Sequence, residues 1–116
     1  MDNDCLFCRI VAGEIPATIV HETDTTLAFR DIDAKAPVHV LVIPKAHYAD
    51  VVALAQSDPG GSAALLAATA AVAEGEGLLG DGFRVLFNTG PDAGQEVFHV
   101  HAHVLGGRPL GPMLAS

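Results

Sequence analysis

The sequence predicts an α+β fold: a five-stranded antiparallel sheet with one long and one short helix. Five short runs carry strand-forming residues, at 18–22, 25–30, 38–43, 83–88 and 97–105. One Ala- and Leu-rich run, 62–74, has high helix propensity. Short strands interrupted by a single long helix, rather than alternating with helices, favour an antiparallel sheet. In chain order, residues 6–12 suit a short helix that stops at Gly13 before Pro16. Thr23-Asp24 makes a tight turn between the first two strands, and Pro44 closes the third. Asp58 and Pro59 read as N-cap and first position of the long helix, which Gly75 and Gly77 weaken near its end. Asp81-Gly82 turns the chain into the fourth strand, and Gly106, Gly107, Pro109, Gly111 and Pro112 form a tail.

Composition narrows the function classes. With 116 residues, half of them apolar, the chain can bury a core of its own as one domain spanning 1–116. The net charge of −8 excludes a general nucleic-acid binder, whose affinity comes from Lys and Arg on phosphates. Any phosphate must therefore be held at one shaped site. No run approaches the ~20 apolar residues of a membrane span. The acidic start Met1-Asp2-Asn3-Asp4 lacks the basic region of a signal peptide, so the expected location is the cytoplasm.

The run His99-Val100-His101-Ala102-His103 is the centre of interest. On a strand, alternate side chains share a face, so three imidazoles would line one side about 6.6 Å apart. Phe98, Val100, Ala102 and Val104 would then face the core. Three histidines pack no better than valines, so an ordinary polar strand face is the weaker reading, and a His-x-His metal site is the stronger rival. Glycines of the loop Gly90-Pro91-Asp92-Ala93-Gly94-Gln95-Glu96 let backbone N–H groups approach an oxyanion. His39, in the middle of the third strand, can meet the row from its neighbour.

His99-Val100-His101-Ala102-His103-Val104-Leu105 resembles the signature of the histidine triad family at every position. Further matching segments are Phe7 to Pro16, Phe29-Arg30-Asp31-Ile32, Ala36-Pro37-Val38-His39 with Ile43-Pro44-Lys45, Phe87-Asn88 and Gly94-Gln95. The ending Leu105-Gly106-Gly107-Arg108-Pro109 is similar to the Hint branch of nucleoside phosphoramidases. The resemblance implies hydrolysis of purine nucleoside phosphoramidates and aminoacyl-adenylates to the nucleoside monophosphate, by a homodimer. His101 would be the nucleophile that carries the nucleotidyl group, His103 would bond the phosphate and leaving group, and His39 would orient them. Asp31 would hold the ribose hydroxyls, and Phe7, Ile10, Phe29 and Ile32 the purine. Asn88 and the backbone of Gln95, Glu96 and Val97 would cradle phosphate. Eukaryotic relatives have serine at the position of Glu96, and an ionised carboxylate cannot donate to phosphate. Two other functions stay open: a dinucleoside polyphosphate hydrolase, and a nucleotide-binding interaction module with negligible turnover.

Cys5 and Cys8 suit a metal knuckle or a redox pair in a reducing compartment. A closed tetrahedral zinc site needs two more ligands, and the family pattern offers His47 and His99. In that case His99 is structural, and the chemistry rests on His39, His101 and His103. Otherwise the cysteines are buried free thiols and His99 belongs with the catalytic row.

Overall fold

A computed structural model describes residues 4–114. Residues 1–3, on which most of the acidic-start reading rests, lie outside the described residues. Five strands, β1 (Ile19–Glu22), β2 (Thr26–Arg30), β3 (Val38–Pro44), β4 (Phe83–Leu86) and β5 (Ala102–Gly106), form one sheet in the order β1-β2-β3-β5-β4. Every pairing is antiparallel. The β1–β2 turn is sealed locally: the Thr23 N–H donates to the Thr26 carbonyl, and the Thr26 N–H donates to Thr23 Oγ1.

The helices are α1 (Leu6–Val11), α2 (Val51–Ser57) and α3 (Pro59–Gly75). The sequence reading contains α1 and α3 but lacks α2, a seven-residue helix. Its signal is Asp50, whose carboxylate accepts the Ala53 N–H at 2.9 Å as an N-cap. Asp58 both ends α2 and caps α3, accepting the Gly61 N–H at 2.9 Å. A Cβ on Gly61 would crowd that carboxylate, so a larger residue there would make the Asp58 side chain shift.

The pleat sorts the sheet into two faces. Ala28, Val40, Val42, Ala102 and Val104 pack with Leu54, Leu65, Ala68 and Val72 from α2 and α3. Leu27, Phe29, Leu41 and Ile43 face the other way, toward Cys5 and Phe7 on the α1 side. His39 precedes Leu41 by two residues on β3 and shares that second face, as does His103 opposite Leu41 on β5.

The fifth strand is shorter than the expected 97–105. Val42 pairs with Ala102, and beyond that pair β3 reaches Pro44, which has no N–H to give. The Pro44 carbonyl instead accepts from His99 Nε2 at 2.8 Å, and the Val100 N–H goes to the Tyr48 carbonyl at 2.7 Å. His99 and His101 therefore lie on the approach to β5, outside regular ladder pairing. Val100 is buried as the alternation required, whereas Phe98 is exposed. Among the described residues, no helix is long and apolar enough to cross a membrane.

Candidate active site and metal centre

A cleft of about 1110 Å³ opens on the α1 side of the sheet. His39, His101 and His103 line it, together with Phe7, Ile10, Phe29, Asp31, Ile32, Asn88, Gln95, Glu96 and Val97. Every residue expected to touch a nucleotide thus borders one space. Its apolar end is assembled from α1, β2 and the α1–β1 connection, including Leu6, Ile15, Pro16 and Ala17, which the sequence reading had not singled out. Ile32 is fully exposed at the rim, where a flat apolar ligand could cover it.

The hydrogen bonds assign each imidazole its proton. His101 Nδ1 donates to the His99 carbonyl at 2.8 Å, which leaves Nε2 of the neutral ring bare. Phe7 packs edge-on against the His101 ring at 5.1 Å, fixing its plane. The Lys35 backbone N–H donates to His39 Nδ1 at 3.1 Å, so the His39 proton sits on Nε2. His39 Nε2 lies 2.9 Å from His103 Nδ1 and donates to it, which places the His103 proton on Nε2. That last nitrogen is buried and has no partner among the described residues, on a histidine that lines the cleft. The His101 ring, whose neutral form has a bare Nε2, and the His103 ring, with its N–H on Nε2, thus stand with centroids 5.1 Å apart.

Burial, followed by the neighbouring His101 and His39, pushes the His103 imidazole down to about 4. Burial also lowers His39, with Asp31 opposing. Both rings are thus neutral in the folded state near pH 7, while in the unfolded chain they titrate near 6.5. Below pH ~6.5 the unfolded chain takes up protons that the folded His103 refuses until about pH 4. Stability is expected to fall across that window as pH drops. Denaturant titrations from pH 7 to pH 4.5 should show it, with a flatter profile in His103→Asn; equal slopes in the two proteins would refute the assignment.

The phosphate-type loop is held by Gln95. Its Oε1 accepts the Gly90 N–H at 3.0 Å, and its Nε2 donates to the carbonyls of Ala49 and Val97 at 2.8 and 3.1 Å. The Gln95 N–H closes the loop onto the Gly90 carbonyl at 3.1 Å. These bonds occupy the polar groups of Gln95 expected to meet phosphate, so Gln95 shapes the loop. Gly90 and Gly94 both have positive φ, +79° and +76°, which glycine alone adopts cheaply.

Behind the cleft, Cys5, Cys8, His47 and His99 bring four ligand atoms within 4.8 Å of one another. Cys5 Sγ lies 3.3 Å from His99 Nδ1, and Cys8 Sγ lies 3.4 Å from His47 Nδ1 and 3.5 Å from His99 Nδ1. Because His99 Nε2 donates to Pro44, its Nδ1 faces the sulfurs without a proton, as a metal ligand must. His99 is fully buried and is not among the residues lining the cleft, which separates it from His39, His101 and His103. Asp31, His39 and His103 form a second group of possible ligands. There the Lys35 N–H opposes metal binding, because it keeps the proton on the His39 nitrogen that would have to ligate.

A HIT domain model matches residues 12–110. The purine nucleoside phosphoramidase of Escherichia coli is 43% identical over 115 residues, covering 99% of this chain and 97% of that protein. An uncharacterized 13.2 kDa HIT-like protein of Azospirillum brasilense is 47% identical over 116 residues, covering 99% and 95%. Among solved structures, a HIT family hydrolase from Clostridium thermocellum superposes with a TM-score of 0.93 at 41% identity, covering 99% of this chain and all of that one. One from Legionella pneumophila gives 0.87 at 46% identity, covering 93% and all of that chain. The sheet order, the histidine cluster and these matches agree, and the chain belongs to the HIT domain family.

Proposed function

We propose that the protein hydrolyses purine nucleoside phosphoramidates, and related aminoacyl-adenylates, to the nucleoside monophosphate through a nucleotidyl group carried on His101. The supporting observation is that the His101 and His103 rings stand side by side on the cleft, His101 anchored through Nδ1 so that Nε2 of its neutral form is bare, and His103 with its N–H on Nε2. The phosphoramidase name of the 43% identical relative supports the same substrate class.

His101 Nε2 attacks the α-phosphorus, and the P–N bond of a phosphoramidate breaks to release the amine, or the P–O bond of an aminoacyl-adenylate to release the carboxylate. When the phosphoramidate nitrogen enters protonated, it leaves as a neutral amine, so no protonated histidine is needed to supply the leaving group's proton. The phosphorylated ring carries a positive charge, which its Nδ1–H shares with the His99 carbonyl. The His103 Nε2–H donates to a phosphoryl oxygen or to the departing atom. Water then attacks phosphorus, His101 leaves as neutral imidazole, and one proton passes to solvent. The backbone N–H groups of Glu96 and Val97 hold phosphate oxygens, Asn88 adds a side-chain contact and Asp31 takes the ribose hydroxyls. Phe29, Ile10 and Ile32 enclose the purine.

Dinucleoside polyphosphate hydrolysis is the second reading. Asp31, Asp33 and Glu96 border the cleft, while its cations Arg30 and Lys35 are tied to Glu76 and Asp33. That balance disfavours an anionic polyphosphate leaving group and suits an amine. Incubation with adenosine phosphoramidate and with diadenosine polyphosphate separates the readings. Faster release of AMP from the amide supports ours, a faster polyphosphate reaction replaces it, and turnover of neither indicates a binding module.

Zinc fits the second cluster. A tetrahedral zinc with bonds of about 2.3 Å to sulfur and 2.05 Å to nitrogen sets S and N about 3.5 Å apart, close to the observed separations. Cys5, Cys8, His47 and His99 would hold it, and its role would be structural. A reducing cytoplasm would keep the thiols available. We also place the chain in a homodimer, its sheets joined along β4. The other edge strand, β1, has an irregular register between Ile19 and His21, which blunts that edge, whereas β4 offers open backbone groups beside a partly exposed Phe83. Light scattering should give twice the 12.0 kDa chain mass, and a value near 12.0 kDa would remove the dimer.

A further inference from the structure

The proton positions in the site depend on a loop that has little burial of its own. Residues 32–35 are all exposed, yet the Lys35 N–H must stay on His39 Nδ1 for the imidazole chain to keep its direction. One end of the loop is tied by Asp31, whose Oδ1 accepts the Asp33 N–H at 2.8 Å. Lys35 Nζ adds contacts to the Asp33 carbonyl and carboxylate, but these lie within the loop and travel with it.

The external anchor comes from the exit of β5. Arg108 Nη2 donates to the Lys35 carbonyl at 3.1 Å, while its Nη1 donates to the Pro109 carbonyl at 2.8 Å. The guanidinium thus bridges the tail and the loop through two fixed donors. Gly107 makes the approach possible. Its φ is +96°, and a Cβ there would lie 2.9 Å from Pro37 Cβ and 3.5 Å from the Val38 nitrogen. Two contacts, one polar and one of close packing, therefore press the β5 exit onto the loop that ends at His39.

We propose that Arg108, seated by Gly107, is a positioning residue for the reaction: it holds Lys35 by its carbonyl, one peptide on from the N–H that faces His39, so that His39 Nδ1 stays bare and His103 presents its N–H to the substrate. The proposal rests on the phosphoramidase reading for its effect on rate, though the clamp itself does not. Without Arg108 the Lys35 backbone loses that hold, its N–H can turn toward water, and His39 Nδ1 becomes free to take a proton. The groups facing His39 then compete for it: Asp31 and Asp33 favour a proton, and Lys35 and His103 oppose one.

The test is Arg108→Ala and Arg108→Lys, followed by ¹⁵N spectra of the histidine rings, which separate bare from protonated nitrogens. In the wild type, the His39 Nδ1 signal is expected in the bare position at pH 7. In Arg108→Ala it should move toward the protonated position, and kcat should fall about three- to tenfold, the effect of roughly one net hydrogen bond. KM should stay unchanged. Arg108→Lys, with one flexible donor in place of the fork, should lie between the two. Unmoved His39 signals with unchanged kcat overturn the proposal, and so does a change confined to KM, which would make Arg108 a substrate contact. The spectra need no substrate. If wild-type protein turns over no phosphoramidate while the His39 signal still depends on Arg108, the clamp stands and the functional reading falls.

Discussion

His101→Asn is expected to lower phosphoramidate turnover on the order of 10³-fold or more, because it deletes the nucleophile of a two-step displacement. Each tenfold corresponds to about 1.4 kcal/mol of barrier, so the loss is more than about 4 kcal/mol. Asparagine has no basic nitrogen to attack phosphorus, and water would have to cross the direct barrier. Its amide can still donate to the His99 carbonyl, which leaves the wall of the cleft in place. Phe7, buried against His101 and Phe29, holds the surrounding packing. Binding of AMP, measured by calorimetry, should stay close to wild type, since the assigned ribose and base contacts lie on Asp31, Phe29, Ile10 and Ile32. Rapid quench with substrate labelled at phosphorus should place the label on His101 of the wild type. Near wild-type turnover in His101→Asn, or label on His99 or His103, would overturn the assignment.

The alternation rule foresaw part of this arrangement. Ala102 and Val104 do face the helices, and His103 faces the cleft, because β5 is a regular strand from Ala102 onward. Upstream of that point the rule holds for Val100 and His101 and fails for Phe98, which is exposed, and His99, which leaves the cleft. Pro44 cannot continue the ladder, so the backbone around His99 takes its partners from Pro44 and Tyr48 instead. That local departure is why His99 and His101, two residues apart, serve different sites. His99 turns to the thiols, while His101 turns to the cleft using the His99 carbonyl as its anchor.

Residue types could reveal candidates for the imidazole row and the Cys/His cluster, since each needs particular side chains. They could not reveal the groups that set protonation. The Lys35 N–H on His39 and the His99 carbonyl on His101 are backbone atoms, which any residue could supply. Gln95 was legible as a member of the phosphate loop, but its partner Ala49 lies 46 positions away and contributes only a carbonyl. The missed helix α2 had a visible cap in Asp50 and too short an apolar run to stand out.

Cys5→Ser is expected to abolish metal binding and to lower thermal stability sharply. Serine is the informative choice because Cys5 is also the N-cap of α1, where its Sγ accepts the Cys8 N–H at 3.3 Å. A serine hydroxyl caps a helix well, so the helix start is preserved while a thiolate ligand is lost. A ligand present at 1,000 times its Kd stabilises the folded state by about 4 kcal/mol. For a chain of this size that corresponds to a fall in Tm of roughly 15 °C. Protein purified without chelator should contain one zinc per chain, and Cys5→Ser none. Loss of the cluster should also reach the active site, because His99 is held by the thiols on one side and carries the carbonyl that anchors His101 on the other. A looser His99 lowers kcat and leaves the base and ribose contacts, so KM should change little. Calorimetry, metal analysis and kinetics on the same preparations make the test complete. Wild-type protein without metal, together with an unchanged Tm in Cys5→Ser, would leave Cys5 and Cys8 as packing residues and His99 as a buried histidine anchored on the Pro44 carbonyl.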